Sequence, residues 1–133
     1  MSHTCQAIAI ACMDFRLHAK LHEKLNQDYG PTGYDLVHIA GGGGAFLADD
    51  ASSLMLKQVD LSVKLHQSSM VVLINHEDCG AYGGKAAFAD ADAEHERHDS
   101  DLKKAAELIA EKHPQLTIKR LYQHLDGTFE SLT

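Results

Sequence analysis

The sequence predicts one α/β domain in which helices cover both faces of a mostly parallel sheet, a three-layer arrangement with a single antiparallel strand at one edge. Short apolar runs rich in β-branched residues at 7–11, 34–40 and 70–75 read as strands buried on both faces. Stretches of helical periodicity separate them, and such alternation builds parallel sheets through crossovers. Asp126-Gly127 supplies a hairpin signal that folds residues 128–132 back as an antiparallel fifth strand. A chain of 133 residues buries one sizeable core and not two, so the expected organisation is a single domain over residues 1–133.

The first strand ends in Cys12-Met13-Asp14-Phe15-Arg16. Leu17, Leu21 and Leu25 then recur every four residues among Lys20, His22, Glu23 and Lys24, which predicts an amphipathic helix against the sheet. Gly30-Pro31-Thr32-Gly33 stops it. The second strand runs directly into Gly41-Gly42-Gly43-Gly44, where the backbone can approach a ligand or another segment closely. These glycines do not spell a dinucleotide fingerprint, and a loop lining a pocket is the expectation. Asp49-Asp50 favours a helix start, and Leu47, Leu54, Leu61 and Leu65 mark a long helix to about His66 that delivers the chain to the third strand.

Beyond Cys79, residues 80–84 form a glycine-rich turn leading into a short Ala-rich helix near 85–89. Residues 90–101 are crowded with Asp, Glu and His and read as a solvated acidic surface, His95 and His98 included. Leu102, Ala105, Ala106 and Ile109 continue as a helical stripe ended at Lys112-His113-Pro114. Leu116-Thr117-Ile118 opens a fourth strand that reaches about Leu125.

Bulk properties exclude several classes of function. Apolar content of 44% with 23% charged residues is ordinary for a globular protein. No run approaches the roughly 18 apolar residues of a membrane span, so no membrane partner is expected. Met1-Ser2-His3-Thr4 carries neither a basic region nor a signal-peptide core, and a cytoplasmic location is the expectation. A net charge of −7 without a concentrated basic face argues against nucleic acid. Three cysteines cannot all pair, and a reducing compartment is compatible with them. Cys5, near the start of the first strand, reads as a small buried hydrophobe.

The chemistry gathers where strands end. His76-Glu77-Asp78-Cys79-Gly80 follows the third strand, and open parallel sheets place their sites at the carboxyl ends of strands. His-x-x-Cys offers an imidazole and a thiolate that a tight turn can point at one ion, while Glu77 reads as a solvated turn residue. If the first and third strands are neighbours, Cys12 emerges beside His76. Cys12, His76 and Cys79 then supply three ligands of the types zinc takes and leave one tetrahedral position open, the catalytic pattern rather than the closed structural one. A closed structural zinc, or three core residues, is the competing reading.

Cys12-Met13-Asp14-Phe15-Arg16 and His76-Glu77-Asp78-Cys79-Gly80 together resemble, in order, residue type and strand context, the paired signatures of the β-class carbonic anhydrases, best of all the short members of that family. The resemblance runs from the first strand to the hairpin at residues 122–127. It implies a sheet in the order 2-1-3-4 with the fifth strand at the edge, Zn2+ on Cys12, His76 and Cys79, and reversible hydration of carbon dioxide to bicarbonate by zinc-bound hydroxide. It assigns Asp14 to accept a hydrogen bond from that hydroxide, and Arg16 to pair with Asp14 and keep it ionised. With Arg16 lost or rotated, Asp14 can swing onto the metal as a fourth ligand, a resting form that some family members show. A loop salt bridge capping the next helix is the competing reading of Asp14 and Arg16.

Gly41, Gly42 and Gly80 are the expected pocket-lining residues. A homodimer or higher homo-oligomer is the expected assembly, without the amino-terminal helical arm with which larger relatives embrace a partner. Two thiolates donate more charge than imidazoles would, so activity is expected to rise toward alkaline pH. Two features depart from the family pattern: His38-Ile39-Ala40-Gly41 stands where Arg-Asn-Ala-Gly is common, and Asn75 where glycine commonly precedes the zinc histidine. The alternatives are a hydrolase of the same fold acting on carbon disulfide or carbonyl sulfide, and a non-catalytic zinc-binding homologue.

Overall fold

The computed structural model describes residues 3–133. Its regular elements are β1 (Ala7–Ala11), α1 (His18–Tyr29), β2 (Tyr34–His38), α2 (Ser52–His66), β3 (Met70–His76), α3 (Ala91–Lys112), β4 (Thr117–Gln123) and β5 (Phe129–Leu132). The sheet runs β2-β1-β3-β4-β5, with β4 and β5 antiparallel and every other pair parallel. The mostly parallel α/β class with its antiparallel edge is what the sequence predicts, and the strand order is the one the resemblance implies.

β1 shows why both faces are covered. Its alternation of alanine and isoleucine turns Ala7, Ala9 and Ala11 toward Leu21, Leu25 and Tyr29 of α1, and Ile8 and Ile10 toward Met55 and Val59 of α2 and Leu102 and Ile109 of α3. Small side chains on one face let α1 lie close to the sheet. Leu21 and Leu25 are buried there, and each such leucine contributes about 1.5–3 kcal/mol through the apolar area it removes from water.

α2 packs on a different stripe from the one its leucines mark. Leu54, Leu61 and Leu65 are 55%, 36% and 49% exposed, whereas Met55, Val59 and Ser62 face the core. The helix carries two apolar stripes side by side, and periodicity alone does not say which of them meets the sheet.

The acidic stretch 90–101 and the apolar stripe after it are one helix, α3, capped by the Asp90 side chain accepting from the Ala93 N–H at 2.8 Å. Glu94, His98 and Asp101 are buried in it, which overturns the expectation of a solvated surface at those residues. Positions 94, 98, 101, 102, 105 and 109 form one continuous helical face. The polar members are tolerated because groups at the sheet's rim reach them: the Asp78 N–H donates to Glu94, and the Asn75 amide bonds His98. His95 does stay near the surface, paired with Glu130.

Smaller differences follow the same logic of local geometry. The Ala-rich stretch is a single 3-10 turn at Lys85–Ala87, and β2 and β4 stop at His38 and Gln123, short of the expected ends. The glycine run closes into a 3-10 turn at Gly42–Leu47. Among the described residues no helix is long and apolar enough to cross a membrane.

Candidate metal centre

Parallel pairing of Ile10 with Leu73 sends the ends of β1 and β3 to the same rim of the sheet. Cys12 follows β1 directly, and His76 is the last residue of β3. Asp78 adopts a left-handed backbone (φ 59), a conformation that Asp tolerates better than most residues, and this reverses the chain so that Cys79 returns toward His76. Three bonds hold the turn: the Asp78 N–H donates to Glu94 Oε2 at 2.8 Å, the Lys85 N–H donates to Asp78 Oδ1 at 2.8 Å, and Arg16 Nη1 donates to Asp78 Oδ2 at 3.1 Å.

Cys12, His76 and Cys79 are all buried, and one ligand atom from each lies within 4.8 Å of the other two. The two sulfurs stand 4.0 Å apart. That is far beyond a disulfide bond of about 2.05 Å. It is close to the roughly 3.8 Å that separates two sulfurs each about 2.3 Å from one tetrahedral ion. His76 Nδ1 donates to the Glu77 carbonyl at 2.7 Å, which fixes the tautomer and leaves Nε2 with its lone pair free. Nε2 is buried and has no hydrogen-bond partner. A buried imidazole nitrogen left bare beside two thiols is the donor set of a zinc site, so the residues present fit that ion.

The two thiols share a proton. Cys12 is driven well below the ordinary thiol range, chiefly because Cys79 donates to it, and Cys79 is correspondingly pushed up.

Asp14 lies beside this cluster, its Oδ2 4.0 Å from His76 Nε2. Arg16 holds the carboxylate through its backbone N–H (3.0 Å), Nε (3.1 Å) and Nη2 (2.6 Å). These bonds, with the guanidinium charge, bring Asp14 down to about 2, so it is ionised at any ordinary pH. Arg16 reaches on to Asp78, tying together the loops that carry Cys12 and Cys79. The carboxylate borders an open cleft with Met13, Phe15 and Gly80 on its walls.

The glycine run backs the cluster rather than forming one wall. Gly41 lines a second cleft with Tyr82, Arg97 and Lys104, whereas Gly42 is buried, and a Cβ there would meet the Ile74 carbonyl and come within 3.2 Å of the Cys12 nitrogen. His38 Nδ1 donates to the Cys12 carbonyl at 2.9 Å, so its Nε2 accepts from His22 Nε2 at 3.0 Å. Asn75 points away from His76 across the sheet, as strand alternation requires, and bonds His98 Nδ1 at 2.8 Å and the Tyr82 hydroxyl at 3.2 Å. Tyr82 donates onward to Asp101 at 2.8 Å. His98, Tyr82 and Glu94 are the supports that sequence reasoning missed; the α3 stripe running through residues 94, 98 and 101 is a signal for His98 and Glu94, and nothing local marks Tyr82.

A family model described as "Putative carbonic anhydrase" matches residues 2–133. An uncharacterized protein of Rickettsia conorii is 28% identical over 131 residues, covering 94% of this chain and 70% of its own length. Among solved structures, carbonic anhydrase from Streptococcus mutans superposes with a TM-score of 0.69 at 16% identity, over 100% of this chain and 86% of that one. The apo form of carbon disulfide hydrolase superposes with a TM-score of 0.59 at 16% identity, over 100% of this chain and 81% of that one. At such identities the two structures share the fold.

Proposed function

The chain belongs to the carbonic anhydrase family, and from that premise we propose that it is a zinc-dependent enzyme for the reversible hydration of carbon dioxide to bicarbonate, in one domain over residues 1–133. The observation that carries the reading is the bare, buried His76 Nε2 facing two thiols, with an ionised carboxylate 4.0 Å away. Cys12, His76 and Cys79 would hold the ion. Zinc, when bound, supplies a Lewis acid that makes a water far more acidic than in bulk.

The chain's own residues supply the rest. Asp14, acceptor-only at working pH, orients a hydroxyl hydrogen in the cleft and so directs the oxygen lone pair at the substrate carbon. Arg16 keeps that carboxylate ionised and keeps it off the metal position, because three of its donors already occupy the two oxygens. Gly80, without a side chain, leaves the cleft open to a small linear molecule, and Gly41 and Gly42 let the neighbouring loop close on Cys12. Activity should rise toward alkaline pH. The assembly we assign is a homodimer or higher homo-oligomer: Met13 and Phe15, 61% and 84% exposed, stand at the mouth of the cleft, where bare apolar side chains favour a covering protein surface. A cytoplasmic setting agrees with a centre that needs free thiols.

The test is carbon dioxide hydration by purified, metal-analysed protein beside a Cys79→Ser variant. Activity in the first and its collapse in the second, with loss of metal, is the expected result. Equal rates in both end the reading. Parallel arms with carbon disulfide and carbonyl sulfide distinguish the substrates that the shared fold admits.

A further inference from the structure

At the opposite end of β1 a second group of metal-ligand side chains converges. Cys5 comes from the segment entering β1, Asp35 from the start of β2, and His66 from the last residue of α2. One ligand atom from each lies within 4.8 Å of the other two. The backbone fixes two of them, because the Cys5 N–H donates to the His66 carbonyl at 3.0 Å, and Gln67, left-handed at φ 55, ends α2 there. Cys5 is thus half-buried and engaged, not the interior hydrophobe that the sequence predicts.

The surroundings are those of a supported ligand set. The Asp35 carboxylate is met by His66 Nδ1 at 2.7 Å and by the Ser62 hydroxyl at 2.8 Å. Ser62 and Ser68 are joined at 2.6 Å, and the Ser68 hydroxyl lies 3.4 Å from Cys5 Sγ. The His3 ring packs edge-on against His66 with centroids 4.8 Å apart. A histidine–aspartate ion pair would account for two of these groups. It does not account for a thiol brought to the same spot by a different segment, at the head of a hydroxyl chain that runs through Ser68 and Ser62 to the carboxylate. Asp35 and His66 are 31% and 30% exposed, so an ion has a way in.

We propose that Cys5, Asp35 and His66 form a second site, for a divalent transition-metal ion of the zinc type. Mixed sulfur, nitrogen and oxygen donors select zinc and its neighbours over calcium and magnesium, which take oxygen alone. On binding, the ion replaces the proton shared by His66 and Asp35 and the thiol proton of Cys5, so protons are released to solvent. The ion would clamp the entry of β1 to β2 and to the end of α2. It shares no residue with Cys12, His76 and Cys79.

The experiment uses the full chain, stripped of metal and titrated with cobalt(II) and with zinc, with bound metal counted after gel filtration. The wild type should hold two equivalents, and Cys5→Ser or His66→Gln one. A Cys12→Ser/Cys79→Ser variant should retain one equivalent, with a thiolate-to-cobalt absorption band, and zinc should raise its melting temperature. Cys5→Ser added to that background should abolish both signals. A Cys12→Ser/Cys79→Ser variant that binds no metal, or an unchanged count in Cys5→Ser, overturns the proposal. Should the double variant fail to fold, the wild type against Cys5→Ser decides alone. Hydration by Cys5→Ser, expected at the wild-type rate, reports separately on the first centre.

Discussion

Arg16 grips Asp14 from its own backbone and side chain together: the peptide N–H, Nε and Nη2 all donate to one carboxylate two residues earlier. A loop that short cannot offer the same acid to another partner without giving up several charge-assisted bonds.

Arg16→Ala therefore frees Asp14, whose acidity moves from about 2 back toward 3.8. Because the folded-state value is depressed, the stabilisation is complete above about pH 4 and fades as pH falls toward 2. The variant should lose that acid tail in an unfolding series. Its hydration rate should drop on the order of ten- to a hundredfold, as when the support of a metal site is removed. In the cobalt-loaded protein the visible spectrum should change as Asp14 closes the site, and an unaltered spectrum and rate would refute the role given to the pair.

His98 sets a second pH dependence. Burial, the largest cause, pushes its imidazole down to about 4 from 6.5. The unfolded chain takes up a proton near pH 6.5 that the folded chain refuses until about pH 4, so stability present above 6.5 is lost through that window as pH falls. The wild type should weaken more steeply than His98→Gln there, by at most about 1.4 kcal/mol per pH unit. Urea midpoints at both ends of the window measure it; parallel curves would remove His98 from the account.

Gly42→Ala and Gly43→Ala should differ. At Gly42 (φ 54) the added carbon strikes the backbone carbonyl of Ile74, with Asn75 Oδ1 3.1 Å away, and backbone cannot retreat. At Gly43 it strikes a methyl of Leu102, which can turn. We expect Gly42→Ala to cost about 1–3 kcal/mol and Gly43→Ala less. The order of the two melting temperatures is the check.

Phe15→Ser should shift the protein toward smaller species in light scattering at equal concentration, leaving the far-ultraviolet dichroism unchanged. An unaltered mass would place the interface elsewhere, with the exposed leucines 54, 61 and 65 of α2 the next surface to alter.

Legibility followed how local the cause was. β1, β3 and their motifs could be read because a short apolar run followed by a cysteine or histidine is itself the signal, and register then brings Cys12 and His76 to one rim. The Asp126-Gly127 turn was equally local. α2 was legible as a helix ending at His66, but its buried face was not, because Leu54, Leu61 and Leu65 form a stripe as regular as Met55, Val59 and Ser62, and only the sheet chooses. The α3 stripe alone did not settle Glu94, His98 and Asp101 as core, because their partners Asp78, Asn75 and Tyr82 lie 16, 23 and 19 residues away. A polar residue inside an apolar stripe looks like surface until its partner is known.

The five side chains of β1 are at most 2% exposed, and none of them ionises. The strand is in effect a dry insulating wall with chemistry at its two ends. Charge gained or lost at one end finds no titratable group along β1 through which to reach the other.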